Sequence, residues 1–330
     1  MGLQPLVTVL VPSFNHEPFI TQALDSLTSQ VYANIEVLIV DDCSSDDSVE
    51  RIREWMEVTD LPVQLIVNEE NRGICGVLNQ MVALAAGDLL VYLDTDDWME
   101  PDRIQCHVDH FESLGPEVVA VYGDAELRDE AGRSMGETYL RRIFPVDDPP
   151  EGSDVFDRLL LGNFIPTPSV TVRRSAIVEI GGYDESLWYD DYDMWLRLSH
   201  RYDFSFCDRV VANYRVLGSS MSHSPLTRPA MTHSTISFLE RWAESSDVLD
   251  STLRRRWLAN NLRRQACTIA RSDTARARGA LSVAQRLDAS AKWTMVDASR
   301  VLALPGGPRL IRWMARSWSV ATRAIRGASR

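Results

Sequence analysis

Residues 88–97 read DLLVYLDTDD, and the fold turns on them. Leu89 to Leu93 make a strand apolar enough to be buried on both faces. It runs directly into Asp94, Asp96 and Asp97. Carboxylates this close repel one another unless positive charge sits among them. One reading of Asp94-Thr95-Asp96-Asp97 is local, since Asp at a strand-to-helix turn satisfies free backbone N–H groups. The other is a cation site. From an extended turn, carboxylates at i and i+2 can point to one place. A hard divalent ion, Mg2+ or Mn2+, takes a few carboxylates and keeps its other positions for water and substrate phosphate.

Upstream, the pattern that leads to this turn repeats. LVTVLVPSFN (6–15) is a buried strand closed by Pro12 and Ser13, and a helix follows with Pro18 near its start and Phe19, Ala23, Leu24 and Leu27 at helical spacing. IEVLIVDDCSSDDS (35–48) is a second strand ending in Asp41-Asp42, and residues 48–57 form the next helix. VQLIVNEE (63–70) is a third strand, followed by Asn71-Arg72-Gly73 and an amphipathic helix over 74–86. Strands alternating with helices of this length predict an α/β fold, a doubly wound, mostly parallel sheet with helices on both faces. In such sheets ligands bind beyond the carboxyl ends of the strands. Four clusters, Pro12-Ser13-Asn15, Asp41-Asp42, Asn71-Arg72-Gly73 and Asp94–Asp97, directly follow strands and so converge on one rim. Each also has a plain reading as a turn. As ligands, Asp41 and Asp42 would accept from a base N–H or ribose hydroxyls, Arg72 would meet phosphate, and Gly73 would allow close backbone approach. No GxGxxG follows the first strand and no GxxxxGK[ST] occurs, so any nucleotide is held by side chains and metal.

Downstream, VVAVYGDAEL (118–127) is a strand, DEAGR (129–133) a turn, and RRIFPVDDPPEGS (141–153) a loop rich in Pro and charge. Residues 163–200 give a strand, a helix, a Gly-Gly turn and a second helix opened by Asp190, Asp191 and Asp193. Such acids suit a helix N-terminus, and one of them is also suited to take a proton from an attacking hydroxyl. Trp188 and Tyr189 can stack on a sugar or belong to the core, and Trp195 reads as core.

The chain has 330 residues and a net charge of −13, and that charge is unevenly spread. From Leu226 onward 19 basic residues face 7 acidic ones, about +12, leaving 15 against 40, or −25, in residues 1–225. A body this acidic repels nucleic acid and polyphosphates unless cations bridge them. The division predicts an enzyme-like domain over 1–225 and a helical, basic extension over 226–330. Five cysteines without CxxC spacing predict reduced thiols and a cytoplasmic setting. Residues 1–12 lack a basic leader segment, and no stretch of about 18 apolar residues occurs. Residues 306–330 place Leu310, Trp313, Met314 and Trp318 at helical spacing among arginines. That helix either docks on the protein or lies peripherally on the inner, anionic face of a membrane, which would suit a lipid-linked acceptor.

In order, VPSFNHE, ALDSLTSQ, IEVLIVDDCSSDDS, NEENRGICGVLNQMVALAAGDLLVYLDTDD, VYGDAELRDEAG, GNFIPTPSVTVRRSAIVEIGGYDESL and DDYDMWLRL resemble the inverting family 2 glycosyltransferases of the GT-A fold. The resemblance runs to about Arg215, roughly two-thirds of the chain. It implies sugar transfer from a nucleotide-diphosphate donor, UDP or dTDP as first candidates, to an acceptor hydroxyl on a glycan or lipid-linked intermediate, with Mg2+ or Mn2+. It implies that Pro12, Ser13, Asn15, Glu17 and Asp42 contact the nucleoside, joined at the rim by Asp41, Asn71, Arg72, Gly73 and Thr95. Asp94 and Asp96 match the Asp-x-Asp motif, with Asp96 the first choice of direct metal ligand. Asp191 matches the base. Asp190 stands where the family usually has Glu, and Trp188, Tyr189 and Asp190 would meet the acceptor. Members often carry His shortly after a Tyr-Arg pair; here Leu217 falls there, leaving His223, Arg215 or nearby serines as substitutes. Two rival classes are a nucleotidyltransferase, which would want Lys or Arg near the first strand where residues 1–30 have none, and a non-catalytic binder of sugar nucleotides or glycans.

Overall fold

The structure is a computed structural model that describes residues 4–143, 149–188, 190–218, 224 and 227–289. The chain divides into two compact units, residues 1–224 and residues 225–330. The first unit opens with the expected alternation: β1 (Val7–Ser13), α1 (Glu17–Thr28), β2 (Ile35–Asp41), α2 (Ser48–Met56), β3 (Val63–Val67), α3 (Gly73–Leu84) and β4 (Leu89–Tyr92). All four strands are parallel, in the order β3-β2-β1-β4. Val9, Val11, Val37, Ile39 and Val91 are buried with Ile20, Leu24 and Leu27 of α1. The apolar runs therefore become central strands because both faces are covered. Register sets Ser13 beside Asp41 and Leu10 beside Tyr92, so the polar clusters emerge at one rim.

Close approach decides one glycine. A Cβ on Gly87 would lie 2.6 Å from the Thr8 amide nitrogen and 2.8 Å from the Leu6 carbonyl oxygen. The Gly87 amide instead donates to Thr8 Oγ1 at 2.9 Å, where the chain enters β4 against β1.

The second half adds β5 (Trp98–Met99), α4 (Arg103–Glu112), β6 (Val118–Arg128), β7 (Ser134–Thr138), α5 (Tyr139–Ile143), α6 (Asp154–Leu159), β8 (Val170–Arg173), α7 (Arg174–Glu179), α8 (Asp190–Arg201) and β9 (Asp203–Arg215). The full order is β3-β2-β1-β4-β8-β6-β9-β5, with β7 on β6. Beyond β4 the sheet is mixed: β8 runs antiparallel to β4 and β6, while β6 and β9 form a long parallel ladder. The two-residue β5 and the helices α5 and α6 carry too little periodicity to be read from sequence. The stretch 141–153, expected as loop, contains the end of α5, and its residues 144–148 lie outside the described residues.

Because β8 is antiparallel to β4, its start lies beside the end of β4. Arg103 joins the two there: Nη1 donates to the Tyr92 carbonyl at 3.0 Å and Nη2 to the Val170 carbonyl at 3.0 Å. The side chain is fully buried. Burial pushes its guanidinium down to about 9, opposed by the charges of Asp94 and Asp97. It stays protonated at neutral pH.

The described part of the second unit, residues 227–289, is helical: α9 (Arg228–Trp242), α10 (Ser246–Leu249), α11 (Thr252–Ile269) and α12 (Thr274–Leu287). Ser251 and Asp273 cap α11 and α12, accepting from the Arg254 amide at 3.3 Å and the Arg276 amide at 2.8 Å. Leu258, Leu262 and Ala266 of α11 are buried, as are Ala277, Ala280 and Ala284 of α12. The amphipathic stretch 306–330 lies outside the described residues. No helix among the described residues is long and apolar enough to cross a membrane.

Two substitutions test this account. Arg103→Met removes a buried charge and leaves two strand-end carbonyls without their donor; equilibrium urea unfolding should show a loss of roughly 3–5 kcal/mol. Gly87→Ala should cost roughly 1–3 kcal/mol in the same assay, as the new methyl forces β1 and the entry to β4 apart.

Candidate functional site

The rim is assembled loop by loop, and its acids do different jobs. Asp41 ends β2 and is fully buried. Its carboxylate accepts from Ser13 Oγ at 2.9 Å, the Ser44 amide at 2.8 Å and Ser44 Oγ at 2.6 Å. Asp42 accepts from Asn68 Nδ2 at 3.0 Å, the Arg72 amide at 2.9 Å and the Gly73 amide at 2.9 Å, while Asn71 Nδ2 donates to its carbonyl at 3.1 Å. Both expected nucleoside ligands are thus engaged with the chain itself, and Asp42 draws the Asn71-Arg72-Gly73 turn onto the end of β2. Arg72 Nη1 reaches Gln80 Oε1 at 3.3 Å.

The β1 and β2 loops are zipped together. The Asn15 amide donates to Ser44 Oγ at 2.8 Å, and Asn15 Oδ1 accepts from the Ser45 amide at 2.8 Å. Asn15 (φ 53°) and Cys43 (φ 67°) both sit in the left-handed region, where a side chain costs about 1 kcal/mol or more. Glu17 meets Arg51 at 3.3 Å, and Pro12 stays half-buried. Phe14 is 46% exposed between Ser13 and Asn15. Sequence reasoning passed over it, because an aromatic after a buried strand looks like more core. It also passed over His16, whose Nδ1 lies 2.6 Å from Thr95 Oγ1 and ties the β1 loop to the acidic turn.

In that turn the side chains alternate. Asp94 and Asp96 are half-buried, while Thr95 and Asp97 are turned inward. Asp97 does not cap the next helix. Its Oδ1 accepts the Arg215 amide of β9 at 2.7 Å. Burial, then the charges of Asp96 and Asp94, push its carboxyl well above the usual range. Arg215, a candidate to grip a diphosphate, is instead directed at the turn, with Nε donating to the Asp96 carbonyl at 2.8 Å. Asp94 and Asp96 carry two hard oxygen donors on half-buried side chains of the one turn. Two buried guanidiniums, Arg103 and Arg215, stand behind this turn. Among the described residues no group of three or more His, Cys, Asp and Glu side chains could hold a metal ion by itself, so a cation here would also need oxygens from a substrate diphosphate.

The three acids of the 190s separate. Asp193 is buried and paired with Arg197 Nε at 2.7 Å. Asp191 is buried at the start of α8, and its Oδ2 accepts from Asn163 Nδ2 at 3.2 Å and from Thr167 Oγ1. Thr167 lies in the 3-10 turn Thr167–Ser169 that feeds β8. That places Asp191 at the same rim as the end of β4, on the side away from β1. Burial and then the charge of Asp191 raise the hydroxyl pKa of Tyr139. Trp195 is core, edge-on to Tyr92 at 6.0 Å, whereas Trp188 is 55% exposed. Leu217, where the family's His was expected, is buried. Tyr189, the side chain of Asp190 and His223 lie outside the described residues.

With this geometry in view, comparisons with known proteins agree on one family. The model of glycosyl transferase family 2 matches residues 8–177. A glycosyl transferase of Escherichia coli named for colanic acid biosynthesis, WcaA, is 33% identical over 61% of this chain and 69% of its own length. A Haemophilus influenzae glycosyltransferase is 31% identical over 61% of this chain, which covers 64% of that relative, just under two-thirds of its length. Among solved structures, residues 1–349 of Staphylococcus aureus TarS with UDP-GlcNAc superpose with a TM-score of 0.66 at 18% identity, covering 86% of this chain and 83% of that one. The mannosyltransferase PcManGT from Pyrobaculum calidifontis with GDP-Man and Mn2+ gives 0.61 at 20% identity, covering 97% and 84%. At these identities the structures speak for the fold, which is GT-A. The family match over half the chain and the rim it folds into make this chain a member of glycosyltransferase family 2.

Proposed function

We propose that the chain transfers a sugar, with inversion, from a nucleotide-diphosphate donor to an acceptor hydroxyl on a glycan or lipid-linked intermediate, and that it depends on a divalent metal. The observation that carries this is the position of Asp191. A carboxylate anchored by Thr167 and Asn163 stands at the rim across β4 from the nucleotide-side loops. Direct displacement needs a proton acceptor on the face opposite the leaving group, and the place of Asp191 supports that role.

On this reading the β1 and β2 loops bind the nucleoside, with Phe14 offering a face to the base and Ser13, Asn15 and the Asp42-ordered turn shaping the ribose side. Asp94 and Asp96 would hold Mg2+ or Mn2+, which when bound offsets the charge developing on the departing diphosphate. The acceptor oxygen attacks the anomeric carbon as the bond from that carbon to the diphosphate oxygen breaks. Asp191 takes the acceptor's proton. Trp188 is exposed close in sequence to Asp191 and offers a stacking surface for the acceptor sugar. Two solved relatives of the fold carry nucleotide sugars, one with Mn2+, in support of this class of donor.

A thermal-shift panel tests the donor and the metal together. UDP-, dTDP- and GDP-sugars, each with and without Mn2+, should yield one donor whose stabilisation requires the ion. Asp96→Ala should abolish that requirement-dependent shift. Asp191→Asn should keep donor binding yet lose transfer by roughly 10²-fold or more. Full transfer by Asp191→Asn would refute the assigned base, and binding with no turnover in the unmodified chain would favour a non-catalytic binder.

A further inference from the structure

Arg215, the last residue of β9, is almost fully buried, yet each of its three side-chain nitrogens donates to a neutral acceptor. Nε donates to the Asp96 carbonyl at 2.8 Å, Nη1 to the Glu130 carbonyl at 2.7 Å and Nη2 to Gln22 Oε1 at 2.6 Å. The guanidinium lies between two rings, 4.8 Å from the centre of Phe19 and 4.9 Å from that of Trp98. Its backbone amide donates to Asp97 Oδ1 at 2.7 Å. One residue thus grips the acidic turn twice, by the carbonyl of Asp96 and the carboxylate of Asp97. It braces that grip against α1 and the β6–β7 turn.

This arrangement has a directional consequence. Fixing the Asp96 carbonyl fixes the peptide plane between residues 96 and 97, and with it the direction in which the Asp96 side chain leaves the backbone. A planar fork held between two aromatic faces can fix a carbonyl in a way that a lysine ammonium cannot. Gly132 lets the β6–β7 turn fold over the site: its φ is +80°, and a Cβ there would lie 3.5 Å from Arg215 Nη1 and 3.6 Å from the Trp98 ring.

We propose that Arg215 is a positioning residue that aims the Asp96 carboxylate at the divalent ion and so sets the affinity for that ion. The proposal rests on the reading of Asp94 and Asp96 as metal ligands. Groups that orient ligands from behind typically change metal affinity by roughly 10–100-fold when removed. Arg215→Lys keeps the charge and loses the fork. Gln22→Leu keeps Arg215 but removes one of its braces.

The test is a Mn2+ titration followed by electron paramagnetic resonance of the free ion, with UDP, dTDP or GDP present, on the unmodified chain, Asp96→Asn, Arg215→Lys and Gln22→Leu. Arg215→Lys should weaken Mn2+ binding roughly 10-fold or more, and Gln22→Leu by a smaller factor in the same direction. Nucleotide binding without metal should be unchanged in both. If Arg215→Lys does not fold, as judged by circular dichroism, Gln22→Leu alone decides. Lower melting temperatures with unchanged Mn2+ affinity in the folded variants would overturn the positioning role and leave a purely structural one. An unmodified chain that binds no Mn2+ with any of the three nucleotides, or an Asp96→Asn that binds it equally well, would sink the underlying metal reading.

Discussion

Three carboxylates on one turn have to be kept together, and much of the surrounding structure answers to that electrostatic constraint. At about 4 Å and an effective dielectric near 20, a single pair of like charges costs about 4 kcal/mol. The protein meets this in two ways. It buries one of the three, Asp97, against a backbone amide, and it brings up Arg103 and Arg215 from behind. Each arginine reaches the turn or its strand through main-chain carbonyls. The backbone that carries the two outer carboxylates is thereby held still.

The same two arginines connect the halves of the sheet. Arg103 ties the last parallel strand, β4, to the first antiparallel one, β8; Arg215 ties the end of β9 to α1 and the acidic turn. That joint is where the loop carrying Thr167 and, through it, Asp191 meets the rim formed by β1 to β4. The switch from parallel to mixed sheet is thus the step that brings Thr167 and Asp191 to the same edge as the loops after β1 to β4.

Much of this was legible in the sequence, for identifiable reasons. The parallel core could be read because apolar runs alternate with amphipathic helices, and the rim because every polar cluster follows a strand. The order of motifs singled out Asp191, which lies buried at the start of α8 and bonded to Thr167. Partner choice was not legible. Asp41 and Asp42 look alike in sequence, but Ser44 takes up the first and the amides of Arg72 and Gly73 the second. Arg215 looked like a phosphate ligand until its donors were seen to face backward. Trp188 and Trp195, seven residues apart, have opposite fates because only the second falls on the inward stripe of α8. The strand β5 exists only as a partner for β9, a contact more than 100 residues distant that no local window contains.

The bonds from Asp42 to the amides of Arg72 and Gly73 have one more outcome. These amides open α3, and the first turn of a helix is ordinarily a natural berth for an anion. Here the chain has filled that berth with an anion of its own. Proteins that cradle phosphates in a glycine loop keep such a helix end open for the ligand. In this chain α3's end is spoken for, so on the metal reading a diphosphate's hold falls to an exchangeable ion, and capture of the donor would follow the local supply of that ion.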